Sequence, residues 1–291
     1  MSIFAGSAPP ETVVMFGTHS RSWVRALSRS APVWQHIGIG DVRTLPGDDP
    51  QALRALLKQR RNAVVIPLME AHARLCPRDC RSLFPSLTAV DTLGDKGRFA
   101  DYVDEHGLGD LCPRTYAAEA PVFPCVLKRT DLNASAGVTI VRSADHLRDL
   151  LCIDPWRDRP FILQELVASA FDHVTHAVCR DGEILWHRTY TCELAEPQAI
   201  QRPGNAVARG TAAATDATLA AFARVLAPLG YDGPVAIDHR FSATGALKIL
   251  EMNPRLGGSL MAPDKVEDLA GALGTILRHA VQGAFERVDG I

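Results

Sequence analysis

Apolar residues recur along the first third of the chain in short runs, separated by stretches with helical spacing. TVVMFG (12–17), VWQHIGI (33–39) and NAVVIPL (62–68) read as strands, and WVRALS (23–28) and QALRALLKQR (51–60) as helices. Such an alternation predicts a parallel sheet in an α/β unit. The turn FGTHSRS after the first run carries one glycine where a dinucleotide fingerprint needs three, so a small-molecule or purely structural role is expected there.

From residue 91 the texture changes. DTLGDKGRFADYVDEHGL (91–108) predicts one helix with Phe99, Tyr102 and Val103 on a face and Gly107 as its stop. PRTYA, FPCVLKR and GVTIVRS predict strands, ADHLRDLL a helix, and FILQELV (161–167) a buried strand. Asp181-Gly182 marks a hairpin between HVTHAVCR and EILWHRTY. ATLAAFARVLAPLG predicts an amphipathic helix ended by Gly230, and PVAIDHRF and ALKILEMN form a last hairpin about a SATG turn. Neither a long linker nor a repeat interrupts the chain, so borders are placed by the change of pattern, near residues 90 and 164.

Composition narrows the function. The chain has 291 residues, 47% hydrophobic and 22% charged, and a net charge of −2. This lacks the basic excess that nucleic-acid binding needs, so no nucleic-acid partner is expected. MSIFAGSAPPETV has neither a basic n-region nor a long apolar run, which reads as cytoplasmic with no membrane association. Seven cysteines, an odd number scattered through the sequence, fit reduced thiols. Cys76 and Cys80 read as two unrelated thiols around the Pro77 turn, since no further ligands complete a metal site.

The densest chemistry lies in LKILEMNPRLGGS (247–259), where Glu251, Asn253 and Arg255 occupy alternate positions before Pro254 and a Gly-Gly pair break the strand. Alternate residues of an extended chain share a face, so these groups converge. Symmetric pairing about SATG sets Asp238 opposite Glu251 and Arg240 opposite Ile249. Two facing carboxylates repel unless a cation lies between them or one is protonated. Magnesium suits one or two carboxylates and leaves room for phosphates; a solvated polar face with shifted register is the alternative. Lys96 opens a helix and Lys128 ends an apolar run, both suited to phosphate, although either alone also describes a snorkelling surface lysine. RTDLNASAGV after Lys128 is a small-residue loop whose backbone amides could close over phosphates.

In this order, Lys96, Lys128, the small-residue loop, QELV, Asp238 and EMNPR, the sequence resembles the ATP-grasp superfamily of ligases over about residues 90 to 263. The resemblance implies an α/β and α+β chain: an N-terminal parallel α/β domain (1–90), a central ATP-binding lobe with a phosphate lid (91–163) and a C-terminal lobe with the metal site (164–291). It implies ATP and Mg2+ as cofactors, with Asp238, Glu251 and Asn253 as metal ligands and Lys96 and Lys128 on the phosphates. Arg255, with Lys128, would serve catalysis at the transferring phosphate or the tetrahedral centre. Ser135, Ala136, Gly137 and Val138 would belong to the lid, Gln164, Glu165 and Val167 would line the adenine pocket, and Asp172 would meet the ribose. His173 follows Asp172 where many relatives have a glycine-rich turn and Glu.

The implied reaction joins a small-molecule carboxylate to an amine through an acyl phosphate, releasing ADP and phosphate, with amino acids the expected class. A small-molecule kinase and a non-catalytic nucleotide sensor are the alternatives on the same fold. Positioning and charge neutralisation suffice for phosphoryl transfer, which leaves His19, His173, His176, His187 and His239 as structural groups or substrate contacts. The segment 193–211, rich in Pro and Gly, reads either as a substrate loop or as a mobile surface loop. Arg202 and Arg209 of that segment, together with Arg255 and Gly257 farther along the chain, are the candidate substrate contacts. Many relatives dimerise, which makes a homodimer one expectation.

Overall fold

The computed structural model describes residues 10–132, 137–202 and 206–282. β1 (Thr12–Phe16), β2 (Asp41–Leu45) and β3 (Val64–Pro67) form a parallel sheet in the order β2-β1-β3. The helices around it are α1 (Arg21–Leu27), α2 (Pro32–Ile37), α3 (Pro50–Gln59) and the single turn α4 (Glu70–Ala73). VWQHIGI, expected as a strand, is α2. Pro32 at the first helical turn presets φ, and Gly38 at φ 72 stops the helix in the left-handed region. Val33, Trp34 and Ile37 then share its buried face. The strand lies farther on, at β2, where only Val42 is buried. An edge strand with one core residue carries too little apolar pattern to be read from sequence.

β1 is buried at every position and serves two cores. Val13 and Met15 pack with Trp23, Trp34 and residues of the last helix, whereas Val14 and Phe16 pack with Leu53 and Ala73. Cys76 and Cys80 belong to the second core. The Cys76 thiol is pushed up first by a hydrogen bond with Cys80 and then by burial. Both are free thiols of the same core, and Cys76 Sγ bonds the His72 carbonyl at 3.5 Å.

The single helix expected over 91–108 is two, α5 (Leu87–Gly94) and α6 (Lys96–Glu105). Asp95 between them is extended, and its carboxylate accepts from the amides of Gly97 and Arg98 at 2.8 and 2.9 Å. A cap with two charge-assisted bonds restarts the helix at Lys96. Residue 90 lies inside α5.

A second, antiparallel sheet holds β4 (Thr115–Tyr116), β5 (Cys125–Arg129), β6 (Val138–Val141) and β7 (Phe161–Glu165) in the order β4-β7-β5-β6. Residue 164 is thus a strand residue of this sheet. Cys125, Leu127 and Leu163 pack from it on Leu147 of α7 (Ala144–Leu151) and on Trp156.

The third sheet is also antiparallel and joins β8 (Phe171–Arg180), β9 (Glu183–Leu194), β10 (Ala206–Ala212), β11 (Gly233–Phe241) and β12 (Leu247–Asn253) in the order β10-β9-β8-β11-β12. Asp181 and Gly182 both have positive φ, the geometry of the two-residue hairpin turn expected there. α8 (Asp216–Leu226) and α9 (Val266–His279) complete the fold. Leu269, Leu273 and Ile276 of α9 enter the core of the first sheet, so the C-terminal helix and the N-terminal unit share their packing. Part of the expected 193–211 loop is strand β10, paired with β9. No helix among the described residues is long and apolar enough to cross a membrane.

Candidate active site

The β11–β12 hairpin carries the centre of the site. Ala236 pairs with Asn253, Ile237 with Met252 and Asp238 with Glu251, as the symmetric register requires. Beyond that point the ladder shifts: His239 pairs with Ile249 and Arg240 with Lys248. Leu250 is the extra residue of a β-bulge, which is why Arg240 does not face Ile249. A bulge leaves one residue unpaired, and here the Leu250 carbonyl accepts from Nζ of Lys128 at 3.3 Å. The bulge therefore joins the Asp238–Glu251 pair to a lysine of the second sheet.

Burial, and next the neighbouring Glu251, push the Asp238 carboxyl up to about 8. Burial lowers the Lys128 ammonium to about 8, against the pull of Glu251. Two opposed carboxylates that are costly to ionise together, built from hard oxygens, fit a magnesium ion. Lys96 is buried, with Nζ 3.7 Å from Glu251 Oε1 and bonded to the Leu132 carbonyl at 2.7 Å. Asn253 donates from Nδ2 to Asp238 Oδ2 at 3.3 Å, and its Oδ1 accepts from Arg255 Nη2 at 3.2 Å. The amide of Arg255 bonds the Asn253 carbonyl at 2.7 Å across Pro254, so the chain turns without moving Arg255 away from the strand's polar face. Glu70, which the sequence did not single out, places Oε1 3.1 Å from Arg255 Nε. Nothing near Glu70 in the chain announces that partnership.

Of these groups, Lys128, Asp238, Glu251, Asn253 and Arg255 border one cleft of about 830 Å³ between the second and third sheets, whereas Lys96 and Glu70 are outside its lining. Val126, Lys128, Val138, Glu165 and Val167 line one side, and Asp238, Leu250, Glu251, Asn253 and Arg255 the other. Gln164 is not in this lining: it is buried and donates to Thr115 Oγ1 of β4 at 3.2 Å. Strand alternation turns it away while Glu165 faces the cleft. Asp172 borders the cleft, but Arg240 takes both its carboxylate oxygens, through Nε and through Nη2 at 3.1 Å. The same buried guanidinium donates to the carbonyls of Val167 at 2.8 Å and Ala199 at 2.7 Å. Asp172 thus anchors the segment below the cleft, and a ribose hydroxyl there would share its carboxylate with Arg240.

Ser135 and Ala136 of the expected lid lie outside the described residues. Gly137, at φ 64, leads into β6, and its carbonyl accepts from the Arg129 amide at 2.8 Å. Of the loop's two arginines, Arg209 on β10 borders the cleft. Arg202 instead crosses to β6, donating to the Val138 carbonyl at 2.9 Å.

Past Arg255 the cleft continues along a segment that sequence reasoning reached only at Gly257. Gly257, Ser259, Ala262 and Lys265 line it with His176 and Tyr190. A side chain at Gly257 would place its Cβ 2.1 Å from the His176 ring. His176 is held neutral by burial, its value pulled down to about 3, and its Nε2 lies 2.6 Å from Ser259 Oγ. His173 and His239 stack on one another at 5.3 Å, with His173 bordering the cleft and His239 buried behind it.

No protein-family profile matches this sequence, and no curated protein matches it. Solved structures match through the backbone. An N5-carboxyaminoimidazole synthase from Aspergillus clavatus, in complex with ADP and 5-aminoimidazole ribonucleotide, superposes with a TM-score of 0.66 at 15% identity, covering 94% of this chain and 79% of that one. A D-alanine–D-alanine ligase from Bacillus anthracis complexed with ATP gives 0.64 at 13% identity, covering 93% and 96%. An L-amino acid ligase from Bacillus licheniformis gives 0.63 at 14% identity, covering 96% and 77%.

Proposed function

We propose that this chain, which has the ATP-grasp fold, is an ATP-dependent ligase that joins a small carboxylic acid to an amine. The observation that carries the reading is the Asp238–Glu251 pair, set in a cleft that Lys128 enters from the facing sheet. Structural neighbours crystallised with ATP or ADP support a nucleotide in that cleft. In this reading the base lies by Glu165 and Val167, and the phosphates run past Lys128 toward the paired carboxylates.

Magnesium held by Asp238, Glu251 and Asn253 would screen the phosphate oxygens while charge develops on them. Lys128 and Lys96 bear on the same charge from the other side. A substrate carboxylate oxygen attacks the γ-phosphorus, the bond to the bridging β-oxygen breaks, and ADP leaves. The amine nitrogen then attacks the acyl carbon, phosphate departs with the C–O bond electrons, and the nitrogen loses its proton. Arg255, oriented by Asn253, Leu256 and Glu70, stabilises the oxyanion of that second step. Amino acids or small metabolites are the substrate class that we propose.

The test is Glu251→Gln beside the unaltered protein. A ligase loses turnover in the variant while ATP binding, followed by calorimetry, is largely kept. A nucleotide sensor has no turnover in either protein, and that result would overturn the reading.

A further inference from the structure

The expected substrate loop gives one of its two arginines to β6, while the cleft runs on past Arg255 to a stretch with its own polar equipment. If nucleotide fills the Lys128 end, the far end is left for the molecules being joined. Arg255 is engaged there by Asn253, Leu256 and Glu70. Lys265 is the next cation along the chain that borders the cleft.

Its surroundings fix the ammonium without satisfying it. Nζ stands 2.9 Å from Asp264 Oδ2, but that carboxylate is 70% exposed. Such a pair is screened and contributes little, so an incoming anion can displace it. Nζ also lies 5.2 Å from the centre of the Tyr190 ring, and the ring is pinned because its hydroxyl donates to Asp268 Oδ2 at 2.7 Å. A cation over a fixed aromatic face is held in place with donors left over. The same Tyr190 ring lies 5.4 Å from the ring of His176, which takes one hydrogen-bonding direction of Ser259 and is clamped against Gly257. The hydroxyl therefore has a set orientation at the cleft wall.

We propose that Lys265 and Ser259 anchor a free carboxylate on the acceptor amine, so that the acceptor is an amino acid and not ammonia or a simple amine. The assignment rests on the ligase reading above, and it explains why the cleft carries a cation beyond the one facing the reacting carbon. An ammonium paired with a carboxylate beside a neutral hydroxyl is selective for charge, and an acceptor amidated at that group leaves Lys265 unpaired.

Hydroxylamine separates this assignment from the reading beneath it, because it captures an acyl phosphate as a hydroxamate and has no carboxylate to be anchored. Mg-ATP and pooled carboxylic acids are first assayed with hydroxylamine to find the donor. The same donor is then assayed with the common amino acids and with their amides, using the unaltered protein and Lys265→Met. The expected result is that the unaltered protein prefers amino acids over their amides. In Lys265→Met the KM for the amino acid rises roughly tenfold or more, the scale of one charge-assisted hydrogen bond. The KM for ATP moves by less than about twofold, and Lys265→Arg recovers part of the loss. Equal use of amino acids and amides by the unaltered protein, or an equal fall in hydroxamate and amide formation in Lys265→Met, would overturn the anchor while leaving the ligase intact. Absence of both products with every donor removes the ligase reading and the anchor together.

Discussion

Leu250 bulges out of β12 one residue before Glu251 faces Asp238, and its carbonyl accepts the ammonium of Lys128 from the opposite sheet. The irregularity in the ladder is what lets a strand of one sheet hold a lysine of another. Lys128 and the Asp238–Glu251 pair are thereby brought to the same place, although they are distant in sequence.

Asp238 gives the first expectation. Its usual value of 3.8 is raised to about 8 by burial and by Glu251. As pH climbs from that usual value toward 8, the unfolded chain ionises while the native carboxyl keeps its proton. Native stability is therefore lost across that window. Asp238→Asn removes the dependence, so without metal the variant should melt above the unaltered protein, by a margin that widens between about pH 5 and 8. Added magnesium should raise the melting temperature of the unaltered protein and do less for the variant. Calorimetric scans across pH, with and without magnesium, measure both.

Lys128→Met keeps an apolar stem at a half-buried position and removes the charge. Without the ammonium, the phosphates face Asp238 and Glu251 with less compensation, so kcat should fall by about 100-fold, and ATP affinity should fall with it. Initial rates over a range of ATP concentrations separate the two effects.

Gly257→Ala pushes a methyl group into the His176 ring. Overpacking of this kind costs about 1–3 kcal/mol and displaces Ser259. A lower midpoint in denaturant, together with weaker acceptor binding, is the expected outcome; unchanged stability would mean that the His176 ring moves freely.

Arg202→Ala addresses the expected substrate loop. Because the guanidinium meets the Val138 carbonyl at the cleft's edge, its loss should change the KM for the carboxylic acid by less than about twofold. A larger rise in steady-state assays would return Arg202 to the substrate site.

Much of the site was legible in the sequence because β-strand alternation is a short-range rule. Glu251, Asn253 and Arg255 could be assigned to one face, and Asp238 to the opposite partner, from turn symmetry alone. The bulge at Leu250 was not legible, since both registers keep apolar residues inside. α2 was read as a strand because a short helix with three buried residues and a short buried strand look alike; Pro32 and Gly38 were the deciding signals. Glu70 and Lys265 depend on packing between distant elements, and a lone charged residue carries no trace of such a partner. Asp172 was seen as an acceptor, and only the third dimension brings Arg240 onto it.

The most direct test of the account is the fate of the nucleotide. Incubation with Mg-ATP and pooled carboxylic and amino acids, followed by chromatography of the nucleotides, should yield ADP and phosphate only when substrates are present, and none with Glu251→Gln. Formation of AMP and pyrophosphate would contradict an acyl-phosphate ligase built on the Asp238–Glu251 pair.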